Sequence, residues 1–339
     1  MIVKAGFSRL AASRRRSRLI ACAGVLAALV VSASLVAAAA EKPDDACYLF
    51  SSFRKNGEDG LHLAWSTDGF KWTALGDDKS YLQPQVGSKL MRDPHLSQGP
   101  DGTFHLVWTT GWGQPPVIGY ANSKDLITWS EQKAISVMAD EPTAKNAWAP
   151  EIVYDESRQQ FVIFWSTTIP GRFPETEKTG DNGWNHRIYC CTTKDFQTFS
   201  KTRLFFNGGF NVIDATMLKA GGKYYLVVKD ETLAPVKKNL RIAEGATPEG
   251  PWTNVSGPFT ISWVEGPSAL RIGEYWYVYF DHYASPHYYG AVRSKDLKTW
   301  EDVSQQMSFP PDHRHGAVLK VSREIVERLR GASPASPAK

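Results

Sequence analysis

Short runs of β-branched and aromatic residues, separated by turn formers, dominate the chain from about residue 48 onward. FHLVWTT (104–110), FVIFWSTT (161–168), YYLVVKD (224–230) and YWYVYFDH (275–282) each read as a strand. Each follows a turn: GPDG (99–102), DESRQQ (155–160), AGGK (220–223) and IGE (272–274). A further short strand precedes each turn, at DPHLSQ (93–98), PEIVYD (150–155), DATMLK (214–219) and GPSALRI (266–272). Helical periodicity is confined to SREIVERLRG (322–331), with Ser322 as N-cap and Gly331 as stop. The Ala/Ser/Pro end, 332–339, reads as disordered.

One phrase recurs five times: a strand, a small or polar residue, often Asp, an apolar residue, two spacers and an aromatic. It reads AWSTDGFKWTAL (64–75), YANSKDLITWSEQ (120–132), CCTTKDFQTFSKT (190–202), RIAEGATPEGPWTNV (241–255) and AVRSKDLKTWEDV (291–303). The closing aromatics, Trp72, Trp129, Phe199, Trp252 and Trp300, are roughly 50 to 70 residues apart, about one four-stranded blade per copy. The expected fold is all-β, a five-bladed β-propeller over residues 41–331. A fifth inner strand, HGAVLKV (315–321), has no following copy. Its partners are then the N-terminal strands around 48–75, which closes the ring and leaves no open sheet edge. A β-sandwich, the alternative, predicts no fivefold phrase.

Composition adds two points. With 12 Trp and 13 Tyr, the chain has ample rings both for packing and for flat sugar-stacking platforms. Residues 1–40 hold Lys4, Arg9, Arg14, Arg15, Arg16 and Arg18 and no acid, so the formal +4 becomes −2 for the remainder. That near-neutral remainder gives no reason to expect nucleic acid or an anionic membrane as partner. The basic stretch, the apolar run Leu19 to Val36 and the alanines 37–40 read as a signal peptide, 1–40, cleaved near Glu41. The expected product is exported, periplasmic or secreted, and off the membrane once cleaved. Cys47, Cys190 and Cys191 then remain, too few for a disulfide framework and without zinc-site spacing.

The first strand of a propeller blade lines the central channel. Asp93, Glu151, Asp214, Glu265 and His315 open these strands, one per blade. Clustered carboxyls push one another's pKa values apart, which is what acid/base work on a glycosidic bond requires. A purely carbohydrate-binding propeller has no need of an acid and a base facing each other.

The surrounding sequences are MRDPHL (91–96), NAWAPEI (146–152), NVIDATM (211–217), WVEGPSAL (263–270) and HRHGAV (313–318). In this order they resemble the signature of glycoside hydrolase family 43, across about residues 48–330. The resemblance implies a five-bladed propeller that releases arabinose or xylose, sometimes galactose, from plant polysaccharides with inversion. By the same resemblance Asp93 is the general base, Glu265 the general acid and Asp214 the carboxylate that orients the acid and tunes its pKa. His315 matches a channel histidine that in many relatives faces a calcium ion or a water cluster; no cofactor is otherwise required. Trp148 and Glu151 match a motif that shapes the sugar site. Arg92 departs from the His common before the Asp-Pro of relatives. An RDP triplet also occurs in fructan-cleaving relatives of the same clan, but their Asn-Asp-Pro nucleophile motif and C-terminal β-sandwich are not seen here.

Further substrate-binding candidates are Trp112, His186 and Arg293, with Trp184, Tyr283 and Tyr288 as additional rings. Asn185, His186 and Arg187 form a polar knot before a strand. His313 and His315 lie two apart, on one strand face, but with no third ligand spaced for a transition metal. A phosphorylase or transferase on this fold would want a cationic phosphate pocket, and no Lys/Arg cluster is visible beside the inner strands.

Overall fold

The computed structural model describes residues 46–332. The signal peptide expected at 1–40 and most of the C-terminal tail fall outside the described residues. Five four-stranded antiparallel sheets are arranged as blades, and four of them keep the sequence order of their strands. The first blade is β4 (Arg92–Gln98), β5 (Phe104–Thr109), β6 (Ile118–Ser123) and β7 (Lys133–Ile135). The second is β8 (Trp148–Asp155), β9 (Gln160–Thr168), β10 (His186–Thr193) and β11 (Arg203–Phe206). The third is β12 (Val212–Ala220), β13 (Lys223–Asp230), β14 (Asn239–Gly245) and β15 (Trp252–Thr253). The fourth is β16 (Val264–Ile272), β17 (Tyr275–His282), β18 (Tyr288–Ser294) and β19 (Glu301–Asp302).

The fifth blade joins the two ends of the chain. β20 (Arg314–Ser322) is its inner strand and pairs antiparallel with β1 (Ala46–Phe53), followed by β2 (His62–Ser66) and β3 (Thr73–Ala74). Leu49 pairs with Leu319 and Cys47 with Val321. The inner strands β20, β4, β8, β12 and β16 contact one another in that order and back to β20. The ring is therefore closed by the pairing that the orphan strand predicts.

The repeated phrase has a physical role. In four copies its hydroxyl and Asp together hold one turn: Ser66 with Asp68, Ser123 with Asp125, Thr193 with Asp195 and Ser294 with Asp296. The Asp accepts two consecutive N–H groups; Asp125 takes those of Ile127 at 2.9 Å and Thr128 at 2.7 Å. The apolar residue between is pinned in the left-handed region, at φ 63° for Leu126, 53° for Phe196 and 60° for Leu297. That conformation costs an L-residue about 1–2 kcal/mol, offset here by burial of the side chain and by the turn hydrogen bonds. The 241–255 copy lacks the Asp and closes instead through Thr247 Oγ1 donating to Gly250 O at 2.7 Å.

The apolar interior is divided among the seams between blades. The described residues form five clusters, each shared by two neighbouring blades. The closing aromatics serve these seams: Trp72 meets Tyr279 edge-on at 5.9 Å, and Trp300 stacks on Phe259 at 4.5 Å. The helix α1 (Arg323–Gly331) is capped by Ser322, whose Oγ accepts from Ile325 N. It buries Val326 and Leu329 in the seam between the fifth and first blades. Gly331 is its last residue rather than a stop beyond it. Cys190 and Cys191 are buried free thiols in the second blade, pushed up to about 12 by burial, whereas Cys47 is buried in the fifth.

Candidate active site at the channel mouth

Every inner strand opens with a bulge, where its register with the second strand slips. The slips fall between Arg92 and His95, Trp148 and Glu151, Ile213 and Ala215, and Glu265 and Ser268. In β20 the slip falls opposite Ser51–Phe53. Asp93 (φ 50°), Ala149 (φ 46°), Asp214 (φ 48°) and Gly266 (φ 56°) occupy the left-handed residue of these bulges. An extra residue per strand re-aims the neighbouring side chains, and bulges often stand beside active sites for that reason. Asp tolerates this backbone better than most residues.

The bulges bring Asp93, Asp214, Glu265, His315 and Trp148 around one pocket of about 190 Å³, with Trp112 from the loop after β5 at its rim. That is room for roughly six waters at ~30 Å³ each, the scale of one sugar ring. Asp93 Oδ2 accepts from Thr109 Oγ1 at 2.7 Å, while Thr109 Oγ1 itself accepts from Ala149 N at 2.8 Å. The backbone N–H thus fixes which way the hydroxyl proton points. His315 Nδ1 lies 3.3 Å from Asp93 Oδ1 and 3.7 Å from Asp214 Oδ2. Asp214 Oδ2 also accepts from Gly266 N at 3.0 Å. A side chain at residue 266 would collide with the His315 ring, 2.4 Å from where a Cβ would lie. The glycine of the EGP triplet is therefore what lets the acid's strand approach the histidine.

Glu265 faces Lys229, with Nζ 3.1 Å from Oε2. Burial pushes the Glu265 pKa above the ordinary carboxylate value against the pull of Lys229, and Asp214 and Asp281 push the same way. Asp214 is also raised: burial and Asp93 outweigh His315 and Lys229. The surroundings therefore shift Glu265 toward its protonated form, while Asp93 and Asp214 stand on two sides of His315.

Several expected residues lie elsewhere. Glu151 does not stand level with Asp93, Asp214 and His315: it is two residues past Ala149, the left-handed residue of its bulge. It faces a second cavity of about 290 Å³ with His95, Thr216 and Ser268. There the Ile152 N–H donates to His95 Nδ1, which leaves Nε2 to point a proton at Glu151, 3.5 Å away. Burial holds Glu151 well above the usual range and lowers His95 to about 3. Arg293 is on β18, the third strand of its blade, roughly 10 Å outward at ~4.8 Å per strand. It binds Glu301 Oε2 at 2.7 Å and covers the Tyr275 ring, away from the channel.

His186 is buried behind Trp148 and Trp184, with ring centroids 5.2 and 5.4 Å away, and does not line the pocket. Arg187 is fully buried and ties Asn185, Thr176 and Asn207 together, so the polar knot anchors a loop. His313 turns to Arg54, 3.2 Å away, and stacks on Phe50. Arg92 lies over Trp112 and Phe53 and does not pair with Asp93.

Calcium takes six to eight oxygen ligands. The described residues hold no group of three or more His, Cys, Asp or Glu side chains placed to bind a metal ion. His315 Nδ1 faces the Asp93 and Asp214 carboxylates, so its neighbours do not form a calcium cage.

Lys229, Glu231, Thr109 and Arg314 were not singled out from the sequence. Lys229 is the penultimate residue of the run YYLVVKD, and a lysine directly after the apolar stretch of a second blade strand is the available signal. Cations do therefore stand beside the inner strands. Carboxylates engage them, however: Lys229 by Glu231 and Glu265, and Arg314 by Asp281 at 2.9 Å.

A family model described as "Probable glycosyl hydrolase domain", related to glycoside hydrolase family 43, matches residues 44–327. The chain is a family 43-related glycosyl hydrolase. Among curated proteins this hydrolase resembles an α-L-arabinofuranosidase of Bifidobacterium longum subsp. longum, 24% identical over 212 residues. The match takes in 55% of this chain and only 20% of that relative, so the hydrolase spans about a fifth of its length. Two solved structures share the fold. One is an exo-β-1,3-galactanase from Phanerochaete chrysosporium in complex with β-1,3-galactotriose: TM-score 0.51, 11% identity, 66% of this chain and 52% of that one. The other is an exo-β-1,3-galactanase from Clostridium thermocellum: TM-score 0.50, 16% identity, 66% and 50%.

Proposed function

We propose that this hydrolase is an exo-acting glycosidase that releases a terminal pentose, arabinose or xylose, or else galactose, from plant-type polysaccharide or oligosaccharide. The reaction is a single displacement with inversion. The observation that carries this reading is the placement of Asp93 and Glu265 on β4 and β16, with β20 between them, in one pocket of single-sugar size. In this reading the two carboxyls, carried by separate blades, take opposite faces of the sugar, with the attacking water on the Asp93 side. The export expected from the pattern of residues 1–40 accords with an enzyme whose polymer lies outside the cell.

In this scheme the protonated Glu265 gives its proton to the glycosidic oxygen. The C1–O electron pair stays on that oxygen, which departs as an alcohol. A water bound to Asp93 attacks C1 from the other face and passes its proton to the Asp93 carboxylate. Thr109 and His315 hold Asp93 in place. Asp214 adds negative charge near Glu265, which keeps the acid protonated to higher pH.

Proton NMR of the first-formed sugar tests the scheme. The anomer opposite to the substrate's is expected, and first release of the same anomer would refute single displacement. A panel of chromogenic pentosides and galactosides names the sugar; a propeller that only binds carbohydrate would retain the sugars and cleave none. Trp112 supports the exo reading as a rim platform, since it is 52% exposed and held edge-on to Trp148 at 5.6 Å. Trp112→Ala is expected to raise KM about five- to tenfold, from the ~1–1.5 kcal/mol typical of aromatic contacts, with kcat little changed. Steady-state kinetics on an oligosaccharide check this.

A further inference from the structure

Lys229 and its partners form a cluster whose charge does not close on itself. Lys229 Nζ is 2.7 Å from Glu231 Oε2, and Lys238 Nζ binds the other oxygen of Glu231. Both ammonium groups are buried, at 2% and 4% side-chain exposure. Within this triad two cations share one anion, so one positive charge is left over among the directly paired groups; Asp214 acts on Lys229 as well, as the weakest of its acidic neighbours. An uncompensated ammonium away from water is costly. The surplus faces Glu265, 3.1 Å away, and the Tyr283 ring, 4.6 Å away. Lys229 reaches there because it pairs with Ile213, directly before the β12 bulge.

Accepting Glu265 as the general acid, we propose that Lys229 is a positioning residue that strengthens this acid as it reacts. While Glu265 keeps its proton, the Lys238–Glu231–Lys229 cluster carries one unbalanced charge. Once the proton has gone to the leaving oxygen, the electrons of the broken O–H bond remain on Glu265 as a carboxylate, and the charges balance. The site is thus better matched to the ionising acid than to the resting one, which is the condition for lowering a barrier. Lys229 itself neither gives nor takes a proton; the Glu231 carboxylate holds it charged, well above the ordinary lysine value despite burial.

The other groups facing Glu265 do not replace it. Asp214 from β12 and Asp281 from β17 are negative and oppose ionisation. Arg314 from β20 comes only to 3.8 Å and is engaged by Asp281, which also takes His287 at 2.7 Å. His315 lies between Asp93 and Asp214. Tyr283 and Tyr289 are held neutral by burial.

The test is Lys229→Met in the full chain, assayed on an oligosaccharide and on the fluoride of the released sugar, whose leaving group needs no protonation. The oligosaccharide kcat/KM is expected to fall about 10- to 100-fold, and the fluoride kcat/KM far less. The alkaline limb of the oligosaccharide profile is expected to move up by about one pH unit or more, because a neighbouring cation no longer favours the carboxylate. Lys229→Arg is expected to keep the limb near its original place. Equal losses on both substrates with an unmoved limb, or no change on either, would overturn the proposal.

If circular dichroism shows that Lys229→Met does not fold, Glu231→Gln replaces it. That change turns more of the Lys229 charge toward Glu265, so the limb should move down; a limb that stays or rises overturns the proposal. Glu265→Gln in the parent chain separates this outcome from failure of the acid assignment. Oligosaccharide cleavage at the parent rate in that variant would mean that Glu265 is not the acid at all, whatever Lys229 does.

Discussion

Asp93→Asn is expected to abolish turnover on every glycoside, with good or poor leaving groups alike, by about 10³- to 10⁴-fold in kcat. Asn has nearly the same shape, and its Oδ1 can still accept the Thr109 hydroxyl that now reaches Asp93 Oδ2 at 2.7 Å. The bulge at φ 50° also suits Asn. The fold should therefore survive, and thermal unfolding should show it. What is lost is the proton acceptor for the attacking water. Leaving-group activation cannot compensate, because departure is not the deficient step. Added azide should give no product of retained configuration. A variant that still cleaved activated aryl glycosides at near the parent rate would assign the base elsewhere.

Glu265→Gln is expected to split substrates by leaving group. Cleavage of sugar-linked substrates should fall about 10²- to 10⁴-fold. Activated aryl glycosides, which depart with little protonation, should stay much closer to the parent rate. Gln can still accept from Lys229, so the local geometry is preserved. The pH dependence gives a second reading. Burial, with Asp214 and Asp281, raises Glu265 in the folded enzyme. The proton is therefore present below that raised value, and activity is lost as pH climbs through it. In the Gln variant this alkaline limb should vanish from the aryl glycoside profile, and its persistence there would assign the limb to another group.

Much of this architecture is legible in the chain because the repeat unit is local. The Ser/Thr–x–Asp turns draw all their hydrogen bonds from five or six consecutive residues, so four of five copies can be recognised directly. The orphan strand at 315–321 fixes ring closure by elimination. Asp93, Asp214, Glu265 and His315 are likewise legible, since each opens an inner strand and such strands converge by topology. Glu151 was misplaced because strand order does not show on which residue a bulge falls, and a shift of two residues moves a side chain into the second cavity. Arg293 lies off the channel because the third strand of a blade carries the same kind of continuous buried run as the second, and the sequence does not show which of the two stands nearer the axis.

The sequence alone determined the blade number, the inner strands and the carboxyls that meet at the axis, because these follow from short-range turns and from counting strands. Only the tertiary structure decided how those carboxyls are partnered. Thr109 reaches Asp93 from the next strand, Lys229 reaches Glu265 from the neighbouring blade, and Gly266 makes room for His315 across the channel. Such contacts join residues distant in the chain. Their energies depend on burial and on separations of about 3 Å, and neither is written in any local pattern of residues.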